Sequence, residues 1–118
     1  IKQMSSHDQR QHLSEMVRVA ERAWAAREDN ASRLEEGRSI LLAEMKINLR
    51  AEGVSKSNAD AEDAAKTSDQ FKSYLRTMHD ARRAANEARA DWRALERDYW
   101  ATVSSEASER AQMRMSRS

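Results

Sequence analysis

Two stretches in which apolar residues recur alternately every three and every four positions constrain the fold of this chain more than any other feature. The first stretch runs over 13–48 and the second over 71–102. This spacing keeps the apolar side chains on one side of an α-helix and is typical of coiled coils. The chain has no proline, so neither helix contains the residue that most strongly breaks one. The pattern predicts two long helices, each with one apolar seam.

The two seams differ in how many polar residues interrupt them. The first seam consists of Leu13, Val17, Ala20, Trp24, Arg27, Ala31, Leu34, Arg38, Leu41, Met45 and Asn48. The second consists of Phe71, Tyr74, Met78, Ala81, Ala85, Ala88, Trp92, Leu95, Tyr99 and Thr102.

With 39% hydrophobic and 35% charged residues, the 118-residue chain is too polar for a compact globule. No alternating strand pattern occurs. We therefore predict an all-α fold in a single domain over 1–118.

Helix boundaries are indicated by capping signals. Gly53 followed by Val54 is typical of a helix C-terminus, because glycine readily adopts a positive φ. Thr67 and Gln70 have the spacing of a capping box, and Ser57 can cap a short helix in the turn. These signals predict a helix at about 6–52, a turn with a short helix at 53–67, and a helix at about 68–113.

A link this short makes the long helices antiparallel neighbours, so we predict a coiled-coil-like hairpin. Folding it about residue 60 brings seam residues together when their numbers sum to about 119, a relation from the hairpin geometry. The pairs include Met45 with Tyr74, Leu41 with Met78, Leu34 with Ala85, Ala31 with Ala88, Trp24 with Leu95, and Arg27 with Trp92. Outside the seams the register places Glu35 near Arg82 and Glu28 near Arg89. A slip of one heptad would preserve the seams, so the register is a hypothesis.

A second apolar face on the first helix predicts self-association. Val19, Ala26, Ile40 and Ile47 recur at intervals of seven or fourteen residues, away from the hairpin seam. Val19, Ile40 and Ile47 are therefore candidate self-association residues. We expect a homodimer that forms a four-helix assembly, with the solitary hairpin as the alternative.

The second helix also has an outward row of cations that ends in a tryptophan. At 100° per residue, Lys72 falls on the same side as the candidate partner-binding residues, which are Arg76, Arg83, Arg93, Arg97 and Trp100. Two other interpretations remain open. The row can be a solvated charged face, or it can face a second copy of the chain with Trp100 buried there.

No arrangement of residues points to catalysis. The three histidines have no metal-ligand spacing, cysteine is absent, and neither a phosphate-binding loop nor a catalytic triad pattern occurs. We expect neither enzyme activity nor a cofactor or metal. The net charge of +1 predicts weak or absent nucleic-acid binding. No apolar run is long enough to span a membrane, and no secretory signal is evident, so we expect a cytoplasmic protein.

Two segments, "DAEDAAKTSDQFKSYL" and "DARRAANEARADW", resemble segments of small alanine-rich helical-hairpin proteins that are encoded in phages and prophages of proteobacteria. The similarity covers residues 49–115, and the stretch "YWATVSSEASER" departs from the group's pattern. The resemblance implies a phage origin, the cytoplasm of a bacterial host, and a non-enzymatic role.

Two classes of function follow from these observations. In the first, the protein binds and modulates or inhibits a host or phage protein that handles nucleic acid, as an anti-CRISPR or other anti-defence protein does. In the second, it binds DNA directly as an accessory in phage recombination or repair. A structural part of the virion is a third alternative. The near-neutral charge favours the first class.

Overall fold

The computed structural model describes residues 5–117, and 91% of these residues are helical, with no strand among them. The prediction of an all-α fold is confirmed. Three helices follow one another: α1 (Ser6–Ala51), α2 (Asn58–Lys66) and α3 (Asp69–Ser116). The chain divides into two compact units. Unit 1 comprises Ile1–Ala25 and Asn86–Ser118, and unit 2 comprises Ala26–Ala85.

Helix α1 begins and ends at residues whose chemistry favours a helix boundary. The Asp8 amide donates a 3.1 Å hydrogen bond to Ser5 Oγ before the first turn is complete, which is the usual role of an N-cap serine. At the other end, Gly53 has φ of +74°. Its amide donates to the carbonyl of Arg50 at 3.1 Å, and the Val54 amide donates to the carbonyl of Leu49 at 3.0 Å. These two bonds form a Schellman motif, so the predicted role of Gly53 is confirmed.

The turn helix α2 has the predicted cap, whereas the prediction of Thr67 as the capping residue of α3 is wrong. Ser57 Oγ accepts a 3.1 Å hydrogen bond from the Asp60 amide. Thr67 belongs to the C-terminus of α2, where its hydroxyl donates to the carbonyl of Asp63 at 2.8 Å. Ser68 caps α3 instead, because its Oγ accepts from the Phe71 amide at 3.1 Å. The expected capping box at Thr67 therefore does not form.

Unit 2 contains most of the buried apolar residues. Phe71 is the largest side chain that is fully buried among the described residues. The other buried apolar residues of this unit are Ala31, Ala61, Ala65, Met78 and Ala85. Because alanine dominates this set, the helices of unit 2 pack through small side chains, and α2 contributes two of them. The three polar positions of the first seam, Arg27, Arg38 and Asn48, are exposed.

The apolar residues between the helices of unit 1 are mostly half-buried, so unit 1 has a thinner core than unit 2. Ala88 is its one buried apolar residue in the described range. The seam residues of α1 in this unit, from Leu13 to Trp24, are half-buried, as are those of α3 from Trp92 to Thr102. An ion pair of 3.2 Å joins Arg10 Nη1 to Glu106 Oε2. Glu106 is largely shielded, so this pair connects α1 with α3 near the ends of both helices.

Candidate interaction surfaces

Within unit 2, one arginine of α3 binds two glutamates of α1. Arg82 donates from Nε and Nη2 to the two carboxylate oxygens of Glu35, at 2.9 Å and 2.6 Å. It also donates from Nη1 to Glu28 Oε2 at 2.6 Å. The predicted contact of Glu35 with Arg82 is confirmed. The prediction for Glu28 is corrected, since its carboxylate accepts from Arg82 and the register had placed it near Arg89.

This cluster lowers the pKa of a glutamate and raises the pKa of the arginine, so both charged forms are stabilised. Hydrogen bonds from Arg82 hold the pKa of Glu35 below its ordinary value, because they stabilise the charged carboxylate. The bonds to Glu35 and Glu28 raise the pKa of Arg82 still further. Arg82 is thus a structural partner of carboxylates at any physiological pH. It does not belong to the outward row of cations that the sequence predicts on the second helix.

Tyr74 makes a contact of unit 2 that the sequence did not indicate. Its hydroxyl donates to the main-chain carbonyl of Leu34 at 2.5 Å, whereas the predicted register had placed Met45 opposite it. A Cβ atom built on Gly37 would lie 2.7 Å from the same hydroxyl oxygen. A glycine inside a helix costs about 1 kcal/mol relative to alanine, and here it leaves space for the tyrosine. The signal available in the sequence was a lone glycine inside a long helical pattern.

Within unit 1, two tryptophans form the main aromatic contact. The indoles of Trp24 and Trp92 stack with centroids 5.0 Å apart and planes inclined by 10°. The Arg93 guanidinium lies over the Trp92 ring, 4.9 Å from its centroid. The predicted register had set Leu95 opposite Trp24, and Arg27 opposite Trp92. In the structure the indoles lie against each other, and the cation on Trp92 comes from the adjacent residue of α3.

The candidate binding surface of unit 1 consists of Arg93, Arg97 and Trp100, and all three residues are exposed. Trp100 is 59% exposed, and its ring meets that of Tyr99 edge to face, with centroids 5.3 Å apart. Arg93 Nη1 lies 3.9 Å from Glu96 Oε1, at the outer limit of an ion pair. The contact with Trp92 is a cation–π interaction, which at an exposed site contributes about 0.5 to 1 kcal/mol.

Unit 2 holds the remaining predicted cations. Arg76 and Arg83 are exposed on α3, as is Lys72. Each is therefore accessible for contact from solvent on its own unit. Among the described residues of unit 2, α3 has no large exposed apolar residue.

The predicted self-association residues are also exposed, at 66% for Val19, 62% for Ile40 and 66% for Ile47. Val19 lies in unit 1, beside the partly exposed Met16 that the sequence analysis missed. Ile40 and Ile47 lie in unit 2, with Ile47 beside Lys46 and Arg50. The spacing of Met16 from Val19 was the signal that could have identified it.

Comparisons with protein-family models, with curated proteins and with solved structures give no match to the chain. In residues 5–117, no group of three or more histidine, cysteine, aspartate or glutamate side chains could hold a metal ion. Over the same range, no helix combines the length and apolar character required to cross a membrane.

Proposed function

We propose that this is a phage-encoded, non-enzymatic protein that binds a host or phage nucleic-acid-handling protein and modulates or inhibits it in the cytoplasm of a bacterial host. An anti-CRISPR or other anti-defence role is the form that we favour. The observation that carries the proposal is Trp100, more than half exposed beside Arg93 and Arg97. Tryptophan and arginine are the residues most enriched at energetic centres of protein interfaces. We propose Arg76 and Arg83, which are exposed within unit 2, as further partner-binding residues in their own right.

The proposed scaffold of this surface is a long antiparallel hairpin. Contacts inside each unit support it, because unit 1 joins early residues of α1 to late residues of α3, and unit 2 joins later residues of α1 to earlier residues of α3. In unit 1 the support comes from Arg10 with Glu106 and from Trp24 with Trp92. In unit 2 it comes from the hydrogen bonds of Arg82.

We further propose that the protein forms a homodimer through Val19, Ile40 and Ile47. Three large branched apolar side chains left this exposed on one helix support self-association, since residues separated by multiples of seven lie on one face of a helix and can form part of a coiled-coil seam. Sedimentation equilibrium should give a dimer at micromolar concentration. Ile40→Glu should weaken the dimer while leaving the helix content of the monomer unchanged, because Ile40 is already exposed.

The test of partner binding compares two double variants of α3. In the first, Arg93→Ala is combined with Trp100→Ala. In the matched control, Arg110→Ala is combined with Met113→Ala, which removes another exposed arginine and another exposed large apolar residue. Affinity capture from infected cells, followed by titration of the captured protein, gives the binding constants. The first variant should lose at least about 2 kcal/mol of binding free energy, and the control should keep its affinity.

Circular dichroism of both variants decides how the result is interpreted. Equal melting temperatures with a loss of binding confined to the first variant support the proposed surface. Equal binding by both variants would contradict it. Early melting of the first variant alone would assign Trp100 to packing.

A further inference from the structure

Unit 1 contains an open apolar groove that the proposed partner-binding surface does not use. Along α1 it is lined by His12, Met16, Val19 and Ala23, which follow one another at intervals of four, three and four residues. Asp91 and Leu95 of α3 form its other side. Val19 is two-thirds exposed and Met16 is more than one-third exposed. This spacing is that of a second, unoccupied coiled-coil seam on α1.

The charges beside this seam are complementary to themselves. Glu15 and Arg22 are both exposed, and they are seven residues apart, which places them on the same side of the helix within about 20°. When two identical helices pair in antiparallel fashion about a two-fold axis, flanking residues of one heptad position meet each other across the contact. A glutamate and an arginine placed on either side of such an axis then form two equivalent ion pairs.

We infer that the groove binds the same groove of a second copy of the chain, with the two α1 helices antiparallel. In this register Met16 packs against Val19 of the second copy, and His12 packs against Ala23 of the second copy. Glu15 pairs with Arg22 of the second copy, and the two-fold axis passes between residues 17 and 18. The inference rests on the proposed self-association and assigns to Val19 a defined position in it. Ile40 and Ile47 lie in unit 2, outside this register, so Ile40→Glu tests the wider self-association proposal and not the register.

Charge reversal tests the register directly. Glu15→Arg alone places two arginines together at each ion pair, and Arg22→Glu alone places two glutamates together. Each single variant should therefore dimerise at least about tenfold more weakly in low salt, since two attractive pairs become repulsive. When the two single variants are mixed, both pairs become attractive again. The mixture should form a heterodimer with the affinity of the wild-type dimer within about a factor of two.

Sedimentation equilibrium of the separate and mixed variants measures these constants, with Glu36→Arg, an exposed glutamate of α1 in unit 2, as the matched control. Restored affinity in the mixture supports the inference, because two misfolded variants could not repair each other. A dimer that Ile40→Glu weakens but Glu15→Arg leaves unchanged overturns the register and leaves the proposed self-association standing. A wild-type chain that stays monomeric at about 100 μM, a hundred times a micromolar dissociation constant, overturns both. A monomer in which Val19→Asn lowers capture of another protein assigns the groove to that protein and overturns the inference.

Discussion

At the scale of single residues, Arg82 makes a set of hydrogen bonds that a lysine could not make. It donates three hydrogen bonds, two to Glu35 and one to Glu28, and only a planar guanidinium offers that many donors in a fixed geometry. Both carboxylate partners of Arg82 lie within unit 2, so its guanidinium is engaged inside the fold. Exposure in the structure, and not the presence of arginine, separates the candidate binding residues from the structural ones.

The carboxylate of Glu35 should make stability depend on pH in acid. Its pKa in the folded state is lower than the ordinary value of 4.5, so its contribution to the free energy of unfolding is complete above that value and is lost as the pH falls through the lowered pKa. Urea unfolding measured from about pH 6 to about pH 3 should show a smaller loss of stability for Glu35→Gln than for the wild type. Glu36→Gln, a change at an exposed neighbour, should follow the wild-type curve. Parallel curves for wild type and Glu35→Gln would contradict the assigned role.

The contact between Gly37 and Tyr74 predicts that one substitution changes sign with its background. In the wild type, Gly37→Ala brings a methyl group to 2.7 Å from the Tyr74 hydroxyl and should displace its hydrogen bond to Leu34, at a cost of about 1 kcal/mol in addition to the steric term. In the Tyr74→Phe background that obstacle is gone, so Gly37→Ala should stabilise by up to about 1 kcal/mol through helix propensity. Thermal unfolding of the four chains forms a double-mutant cycle. Equal effects in both backgrounds would exclude the steric explanation.

At the scale of helices, the C-terminus of α1 depends on the backbone of one residue. Gly53 has a positive φ, and no heavy atom lies within 4 Å of the position where its Cβ would be, so any cost of substitution comes from the backbone alone. Gly53→Ala should lower the free energy of unfolding by about 1 kcal/mol. Gly53→Asn should cost less, because asparagine tolerates the left-handed region. Urea unfolding of both variants measures the difference, and an equal loss for the two would show that the Schellman geometry is not what matters.

The helical elements could be predicted from sequence because their signals are local. Gly53 and Ser57 act within a few residues of themselves, so their roles follow from chemistry that the sequence displays directly. The capping residue of α3 was misassigned because Thr67 and Ser68 are adjacent hydroxyl residues, and only the structure shows which of them accepts the hydrogen bond from the Phe71 amide.

Which residues of α1 contact which residues of α3 could be predicted only in part. Glu35 with Arg82 was found, while Trp24 with Trp92 was not. A seam of three- and four-residue intervals is compatible with several offsets along the helix axis. The long Tyr74 and Trp92 side chains also reach residues that do not lie directly opposite their own Cα atoms. The exposure of the candidate residues was easier to predict than the helix offsets, since exposure follows from position around a single helix.

At the scale of the whole molecule, the balance of charge predicts how the protein behaves toward DNA. The net charge is +1, and acidic residues accompany the arginines along α3. Binding to duplex or single-stranded DNA at physiological salt should therefore have a dissociation constant no tighter than about 1 μM, the nonspecific range. Fluorescence anisotropy at several salt concentrations gives this constant and its salt dependence. Nanomolar binding would favour the alternative of a DNA-binding accessory over a protein partner.

The predominance of alanine among the buried residues has a thermal consequence. Five of the seven buried apolar residues in the described part of the chain are alanines, so unfolding exposes little apolar surface for each residue released. The heat capacity of unfolding scales with that surface and should be small for a chain of this length. A small heat capacity change makes the free energy of unfolding vary gently with temperature, so the protein should keep nearly the same stability on cooling, and cold denaturation is expected far below freezing.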